Sequence, residues 1–418
     1  MIERIEIHVT ALSTRLKRIF ASGTYDTGPD DSITSKPVLV KVHADGVVGY
    51  GQIRPISPGH FVADTTQSMV AAIREFYGPA MIGRSLFDSE SINEMFDNRL
   101  AGNPAARAVL DIAVRDAQGK ALGRPVHDLI GGCCQPRIPL EWSVSMAQDV
   151  QTVIDESLRA VNEFGIRVLC LKMADRRGWR HDVKVFAAVR AAVGDEVMIG
   201  IDPNTGWTLA DSLLAIAELK PMGLGYIEQP IERRDLRGLA QIRQAAGGVP
   251  VMADEGVFTL QDAWALAEAR AVDALCIKLY KVGGLTAGKK IAAVAEAANV
   301  QLNCGGLAVQ SQLEAAAGAH FYASTPAARM MGAAEFVFGL NAHVKDPLCP
   351  ESEFRVRDGH VDVPKGAGLG VHIDEALLKK NTLLHERVGR YGSGPSKNVR
   401  RRASVEERQS VSTRRRER

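Results

Sequence analysis

VLCLK (168–172), VMIGID (197–202), GYIE (225–228), VPVMAD (249–254), VDALCIK (272–278) and VQLNC (300–304) are short apolar runs rich in β-branched residues, and a helical stretch follows each. Their C-terminal ends stand 30, 26, 26, 24 and 26 residues apart. A strand, a helix and two short loops occupy about that length, so the spacing predicts parallel β/α units closing into a barrel. A doubly wound open sheet has the same periodicity and remains the alternative. Thr208 with Asp211 and Thr259 with Asp262 read as capping pairs at helix starts.

Outward from this core, a chain of 418 residues has room for a second unit. Residues 1–130 supply it. Ile5, Ile7 and Val9 alternate, and Val38, Val40 and Val42 alternate up to Asp45-Gly46, a hairpin signal. Residues 20–35 are polar and read as an exposed loop, and helical periodicity runs from about Ala63 to Leu122. The expected division is an α+β unit over 1–130 and a β/α barrel over 131–375. The chain end to about 385 packs back on the first unit, and 386–418 form a basic disordered tail. That tail carries eleven Lys or Arg against four Glu, so the formal charge of +2 hides an acidic body of about −5. Its few apolar residues cannot bury enough surface to fold alone.

The composition, 46% hydrophobic and 24% charged, is that of an ordinary globular protein. No membrane span and no secretory pattern is legible, which gives a cytoplasmic expectation. The six cysteines include no CxxC pair, so reduced thiols are expected.

The chemistry lies at the strand ends, where barrel enzymes gather their catalytic groups. Lys172, Asp202, Glu228, Asp254 with Glu255, Lys278 and Cys304 close the six runs. Three carboxylates converging on one cleft repel one another unless a cation compensates them, and oxygen donors without His or Cys favour Mg²⁺, with Mn²⁺ as a substitute. Lys172 and Lys278 flank the acids and can face each other across a substrate. A lysine acts as a base only when neutral, so its pKa must fall toward the working pH. Singly, each carboxylate is as well explained as a helix cap or an ion-pair partner; three in register between two lysines are not. Glu255 is expected to orient Lys278 or Lys172 by an ion pair, and Asn204 to support Asp202. GGLTAG (283–288) lacks the spacing of a phosphate loop and is read as packing. The ten histidines form no HxH or HExxH pattern, so no histidine metal site is expected.

At these residues the chain resembles the enolase superfamily, and most its muconate lactonizing enzyme subgroup. The segments that carry the resemblance are LKM at Lys172, IDPNTGW at Asp202, YIEQPI at Glu228, MADEGV at Asp254, IKLYKVGGL at Lys278 and AVLDIAVRDAQGKALGRPVHDLIGG (108–132). It spans about residues 2–375. The resemblance implies a TIM-like (β/α)7β barrel under an N-terminal α+β capping domain. It also implies Mg²⁺ on Asp202, Glu228 and Asp254, with Lys172 and Lys278 as acid/base groups. Loops near Tyr25 and Gln52 would cover the mouth and, with Cys170 and Gln310, meet the substrate. Three positions depart from the family pattern. Cys170-Leu171-Lys172 replaces Lys-x-Lys, Gln310 stands where many members carry Glu, and Gln52 replaces a frequent Glu.

The expected reaction is removal of a proton α to a substrate carboxylate. It leads to racemization or epimerization of an amino-acid derivative, or to cycloisomerization of a muconate-like diacid. Dehydration of a hydroxy acid is the runner-up. A barrel that only binds, with a tail recruiting nucleic acid or membrane, is the remote alternative, since the tail lacks aromatic interleaving and amphipathic period. The expected partners are a small carboxylate and further copies of the chain, with no specific nucleic acid and no membrane.

Overall fold

The structure, a computed structural model, describes residues 1–11, 17–21, 23–26, 35–55, 63–306, 311–342 and 344–389. Strands Ile2–Thr10, Val38–Ala44 and Val47–Ile53 pair antiparallel, the last two as a hairpin turned by Asp45 and Gly46 at φ 48° and 79°. Two successive positive φ values are what a tight hairpin of the observed twist requires. Ile5, Ile7 and Val9 are fully buried, and burial stabilises each by roughly 1.5–3 kcal/mol. Helix Pro104–Leu122 packs on this sheet so closely that a Cβ on Gly49 would sit 2.0 Å from the Ala113 carbonyl oxygen.

Strand Thr382–Gly389 pairs antiparallel with Ile2–Thr10, so both chain ends share one sheet. Residues 386–389 therefore belong to the fold, where the sequence reading put them in the tail. An available sheet edge supplies the backbone hydrogen bonds that a polar segment cannot get from a core of its own. Residues 390–418 lie outside the described residues. A second correction concerns the loop expected over 20–35: Lys17–Phe20 and Gly23–Asp26 form a hairpin. It is held to the barrel rather than left exposed, with buried Arg18 on Glu156 at 3.2 Å and the Ile19 N–H donating to Ser145 Oγ at 2.9 Å.

Seven parallel strands follow in spatial order: Glu141–Val144, Val168–Lys172, Met198–Asp202, Leu224–Glu228, Val251–Ala253, Ala274–Ile277 and Gln301–Cys304. Residues 330–335 bridge the seventh back to the first. The Met331 and Glu335 N–H groups donate to the Leu302 and Cys304 carbonyls at 2.7 and 3.0 Å, and Glu141 N–H donates to the Ala334 carbonyl at 2.9 Å. This irregular eighth strand closes a (β/α)7β barrel and excludes the doubly wound alternative. Sequence reading found six of the strands. It missed EWSV (141–144), a run of only four residues, and MMGAAE (330–335), in which Gly and Ala carry no strand signal.

Both expected capping boxes are present, at Thr208–Asp211 and Thr259–Asp262. GGLTAG joins the two units: Thr286, at the start of helix Leu285–Ala297, donates from its N–H and Oγ1 to Asp111 of the packing helix at 3.1 and 2.6 Å. No described helix is long and apolar enough to cross a membrane, and all six cysteines are free.

Candidate active site

Asp202 ends the third barrel strand, Glu228 the fourth, and Asp254 follows the fifth. Local turns fix two of them. Asn204, at φ 44°, donates its N–H to Asp202 Oδ1 at 2.7 Å and its side-chain amide to Oδ2 at 2.9 Å. Gln229, at φ 30°, accepts the N–H groups of Asp254 and Gly256 on its Oε1, both at 3.0 Å. Left-handed backbone at non-glycine residues costs energy and persists where surroundings over-determine it, here just behind the acids.

The acids form a row with Glu228 in the middle. One oxygen each of Asp202 and Glu228 lies within 4.8 Å of Cys170 Sγ and of one another, and the same holds for Glu228 and Asp254 around Cys276. Lys172 Nζ donates to Asp202 at 2.5 Å, and Lys278 Nζ donates to Asp254 at 2.6 Å while lying 3.8 Å from Glu228. The lysines thus close the two ends of the row. Between them on the remaining side stands Glu335 of the eighth strand, one oxygen 4.0 Å from Lys172 and the other 3.8 Å from Lys278. The Phe20 ring of the docked hairpin lies 5.6 Å from Lys172 Nζ.

Burial opposes charge on both lysines, yet Asp202 beside Lys172 and Asp254 beside Lys278 outweigh it and hold each ammonium well above its ordinary value. Burial pushes Glu228 well above the carboxylate range, with Asp202 adding to the effect, and raises Asp202 against the pull of Lys172. Asp254 goes the other way: burial is outweighed by Lys278 and Lys281, which hold it ionised.

Several expectations need correcting. Glu255 pairs with neither lysine but accepts from the Asn204 amide at 3.1 Å, and burial, with Asp254 beside it, pushes its carboxyl up to about 8. Gln52, expected to meet the substrate, lies buried in strand Val47–Ile53, where its amide donates to Thr10 Oγ1 at 3.4 Å and accepts from Ser311 Oγ at 3.0 Å, so it ties the capping sheet to the barrel. Cys304 turns outward and donates to the Gly318 carbonyl at 3.6 Å. Cys170 stays inside, 3.7 Å from Glu228. Gln310 and the Tyr25 side chain lie outside the described residues.

Sequence reading missed Lys281, Glu335 and Glu141. Lys281 donates to Asp254 at 2.6 Å and sits in the IKLYKVGGL segment, where its spacing of one helical turn from Lys278 was a usable signal. Glu335 had none, since its strand is irregular. Six buried carboxyls (Glu141, Asp202, Glu228, Asp254, Glu255 and Glu335) therefore face three buried lysines (Lys172, Lys278 and Lys281). That imbalance, and a Glu228 Oε1 with no hydrogen-bond partner, is the electrostatic signature of a cation site. Burial also keeps the Cys170 and Cys276 thiols well above their ordinary value, which leaves hard carboxylate oxygens as the donors.

Residues 30–131 match the N-terminal domain of mandelate racemase/muconate lactonizing enzyme, and 152–377 match the enolase C-terminal domain-like family. The chain belongs to the muconate lactonizing enzyme subgroup of the enolase superfamily. Its relatives include N-succinyl-L-Arg/Lys racemase of Bacillus cereus, 29% identical over 93% of this chain and 99% of that one. The hydrophobic dipeptide epimerase of Enterococcus faecalis is 32% identical over 76% and 86%. Among solved structures, N-succinyl Arg/Lys racemase from Bacillus cereus superposes with a TM-score of 0.83 at 28% identity, covering 93% of this chain and 99% of that one. Muconate lactonizing enzyme from Pseudomonas fluorescens, complexed with muconolactone, gives 0.82 at 28%, covering 91% and 99%. This subgroup member is an isomerase of a metal-dependent superfamily. Its reaction begins with removal of a proton α to a carboxylate and leads to racemization, epimerization or cycloisomerization.

Proposed function

We propose that this isomerase is a magnesium-dependent racemase or epimerase of an N-acylated or peptide-linked amino acid, with Lys172 and Lys278 as its two bases. The observation that carries the reading is the placement of the lysines at opposite ends of the carboxylate row, each within 4.0 Å of a different oxygen of Glu335. Asp202, Glu228 and Asp254 would hold the ion. Once bound, the ion supplies positive charge for the substrate carboxylate and for the negative charge that grows there as the α-proton leaves.

Engaging those carboxylates elsewhere removes the anions that hold the lysines charged. Burial then prevails, and one lysine falls toward neutrality without a Lys at position 170. That neutral amine takes the α-proton from one face, and the opposite ammonium returns a proton to the other. Inversion follows from two bases facing each other, and the two enantiomers exchange their roles. Phe20 excludes water on the Lys172 side, and Glu335 keeps both amines aimed at the centre.

Similarity to chloromuconate cycloisomerases, 29% identical over 82% of this chain, supports cycloisomerization of a diacid as the second reading. Dehydration of a hydroxy acid would need a group that protonates the leaving hydroxyl. Incubating carboxylic acids with the enzyme and Mg²⁺ in D₂O separates these outcomes, because NMR reports α-hydrogen exchange even without net product. Lys172→Ala and Lys278→Ala should each abolish exchange from a different enantiomer. Loss from one lysine only, with the other variant fully active on both enantiomers, would refute the two-base scheme.

A further inference from the structure

One face of the capping sheet gathers three histidines around a single carboxylate. Strand pairing sets His8 opposite His385 and Glu6 opposite Arg387, while His43 stands opposite Arg4 on the neighbouring strand Val38–Ala44. The His8 and His385 rings stack at 4.5 Å with 17° between their planes, and both Nε2 atoms approach the same Glu6 oxygen, at 3.6 and 3.8 Å. The other Glu6 oxygen receives Arg4 at 3.0 Å, His43 at 3.4 Å and Arg387 at 3.6 Å. The remaining charges of the adjoining elements are committed elsewhere: Lys41 and Tyr50 engage Glu375, and Arg74 engages Glu386.

The contacts of His8 account for two ring protons. Thr382 Oγ1 donates its hydrogen to the Leu378 carbonyl at 2.7 Å, so toward His8 Nδ1, at 3.2 Å, it accepts. With one N–H on Thr382 and the other nitrogen turned to a carboxylate, His8 is held as the imidazolium that pairs with Glu6. Arg4, Arg387 and His8 then already set three positive charges around one carboxylate, before any charge on His43. A proton on His385 adds a further cation against the face of the His8 ring, and like charges directly opposite one another weaken a strand pair. Burial, and after it the His8 charge, hold His385 below its ordinary value; Arg387 acts in the same direction, and Glu6 and Glu386 oppose them.

We propose that this face is an acid-sensitive latch, in which a proton on His385 drives the last strand, Thr382–Gly389, off the edge of the capping sheet. The released strand takes up that proton near the ordinary histidine value of about 6.5, and the docked strand resists it. Docking is therefore complete above about pH 6.5. It is lost as pH falls from there toward the lowered value of the docked ring, with the opening equilibrium rising by up to about tenfold per pH unit for one proton. The strand's first residue, Thr382, lies opposite Thr10, whose Oγ1 accepts from Gln52, which in turn accepts from Ser311. Opening of the latch thus reaches the tie between the capping sheet and the barrel.

The test follows amide hydrogen exchange of residues 382–389 in the full chain with MgCl₂ present, from about pH 7.5 to about pH 5.5 and corrected for intrinsic exchange rates. The expected result is an opening equilibrium that changes little above about pH 6.5 and rises up to about tenfold by about pH 5.5, while amides of helix Pro104–Leu122 show no such rise. His385→Phe keeps a ring to stack on His8 but takes no proton, and should leave the protection of 382–389 independent of pH. An imidazole NMR titration of the parent checks the same point without a variant: His385 should titrate below its ordinary value. Flat protection of 382–389 across the range in the parent, an equal pH dependence in His385→Phe, or a His385 that titrates at or above about 6.5 would overturn the proposal.

Discussion

Glu228→Gln offers the sharpest separation of a cation site from a cluster of structural ion pairs. Glu228 is the middle acid, fully buried, with Oε1 unpartnered and only a distant contact of 3.8 Å to Lys278. Burial and Asp202 raise its carboxyl well above the usual range, so the metal-free fold already disfavours its ionised form. The amide has nearly the shape of the protonated acid and no charge, so metal-free stability should stay the same or rise. A structural ion pair behaves oppositely, since removing one partner of a buried pair costs about 3–5 kcal/mol. The holo protein should lose what the cation contributes. At a Mg²⁺ concentration about one hundred times Kd, parental stabilisation is about 2.7 kcal/mol, and it should vanish in the variant at the same concentration. Thermal and urea unfolding with and without MgCl₂, on both proteins, measure each quantity. A metal-free variant less stable by more than about 1 kcal/mol, or one that keeps the full Mg²⁺ shift, would show that Glu228 is a structural partner instead.

Glu255, raised from 4.5 to about 8, should make metal-free stability depend on pH. For a carboxyl raised in the fold, the contribution is complete below about pH 4.5 and is lost as pH rises toward 8, by up to about 1.4 kcal/mol per unit. Glu255→Gln should flatten that slope in urea denaturation, and an unchanged slope would reject the assignment. Glu335→Gln removes an anion that holds both lysines charged, so the acid limb of kcat/KM should move to lower pH; a limb that stays in place would place the controlling titration elsewhere. Gly49→Ala forces a Cβ against the backbone of Ala113 and Ala117, which no side-chain rotation relieves, and should destabilise by about 3 kcal/mol or more in the same unfolding assay.

The sequence alone determined the repeating β/α units, and with them a ring of strand ends. Side chains at those ends must converge whatever the detailed packing, so Lys172, Asp202, Glu228, Asp254 and Lys278 were legible as one constellation. Short-range chemistry was legible too: the Asp45-Gly46 hairpin and the Thr208 and Thr259 caps depend on residues within a few positions of one another. What the tertiary structure decided is everything that rests on non-local pairing or irregular backbone. Glu335 enters the site on a strand whose Gly and Ala give no periodic signal. Glu255 turns to Asn204, and Gln52 to Ser311, because each hydrogen-bond choice depends on which buried group arrives nearest. His8 meets His385 because a sheet edge captures the end of the chain. A local pattern constrains neighbours in sequence, whereas a site assembled from opposite ends of a chain exists only once packing has chosen the register.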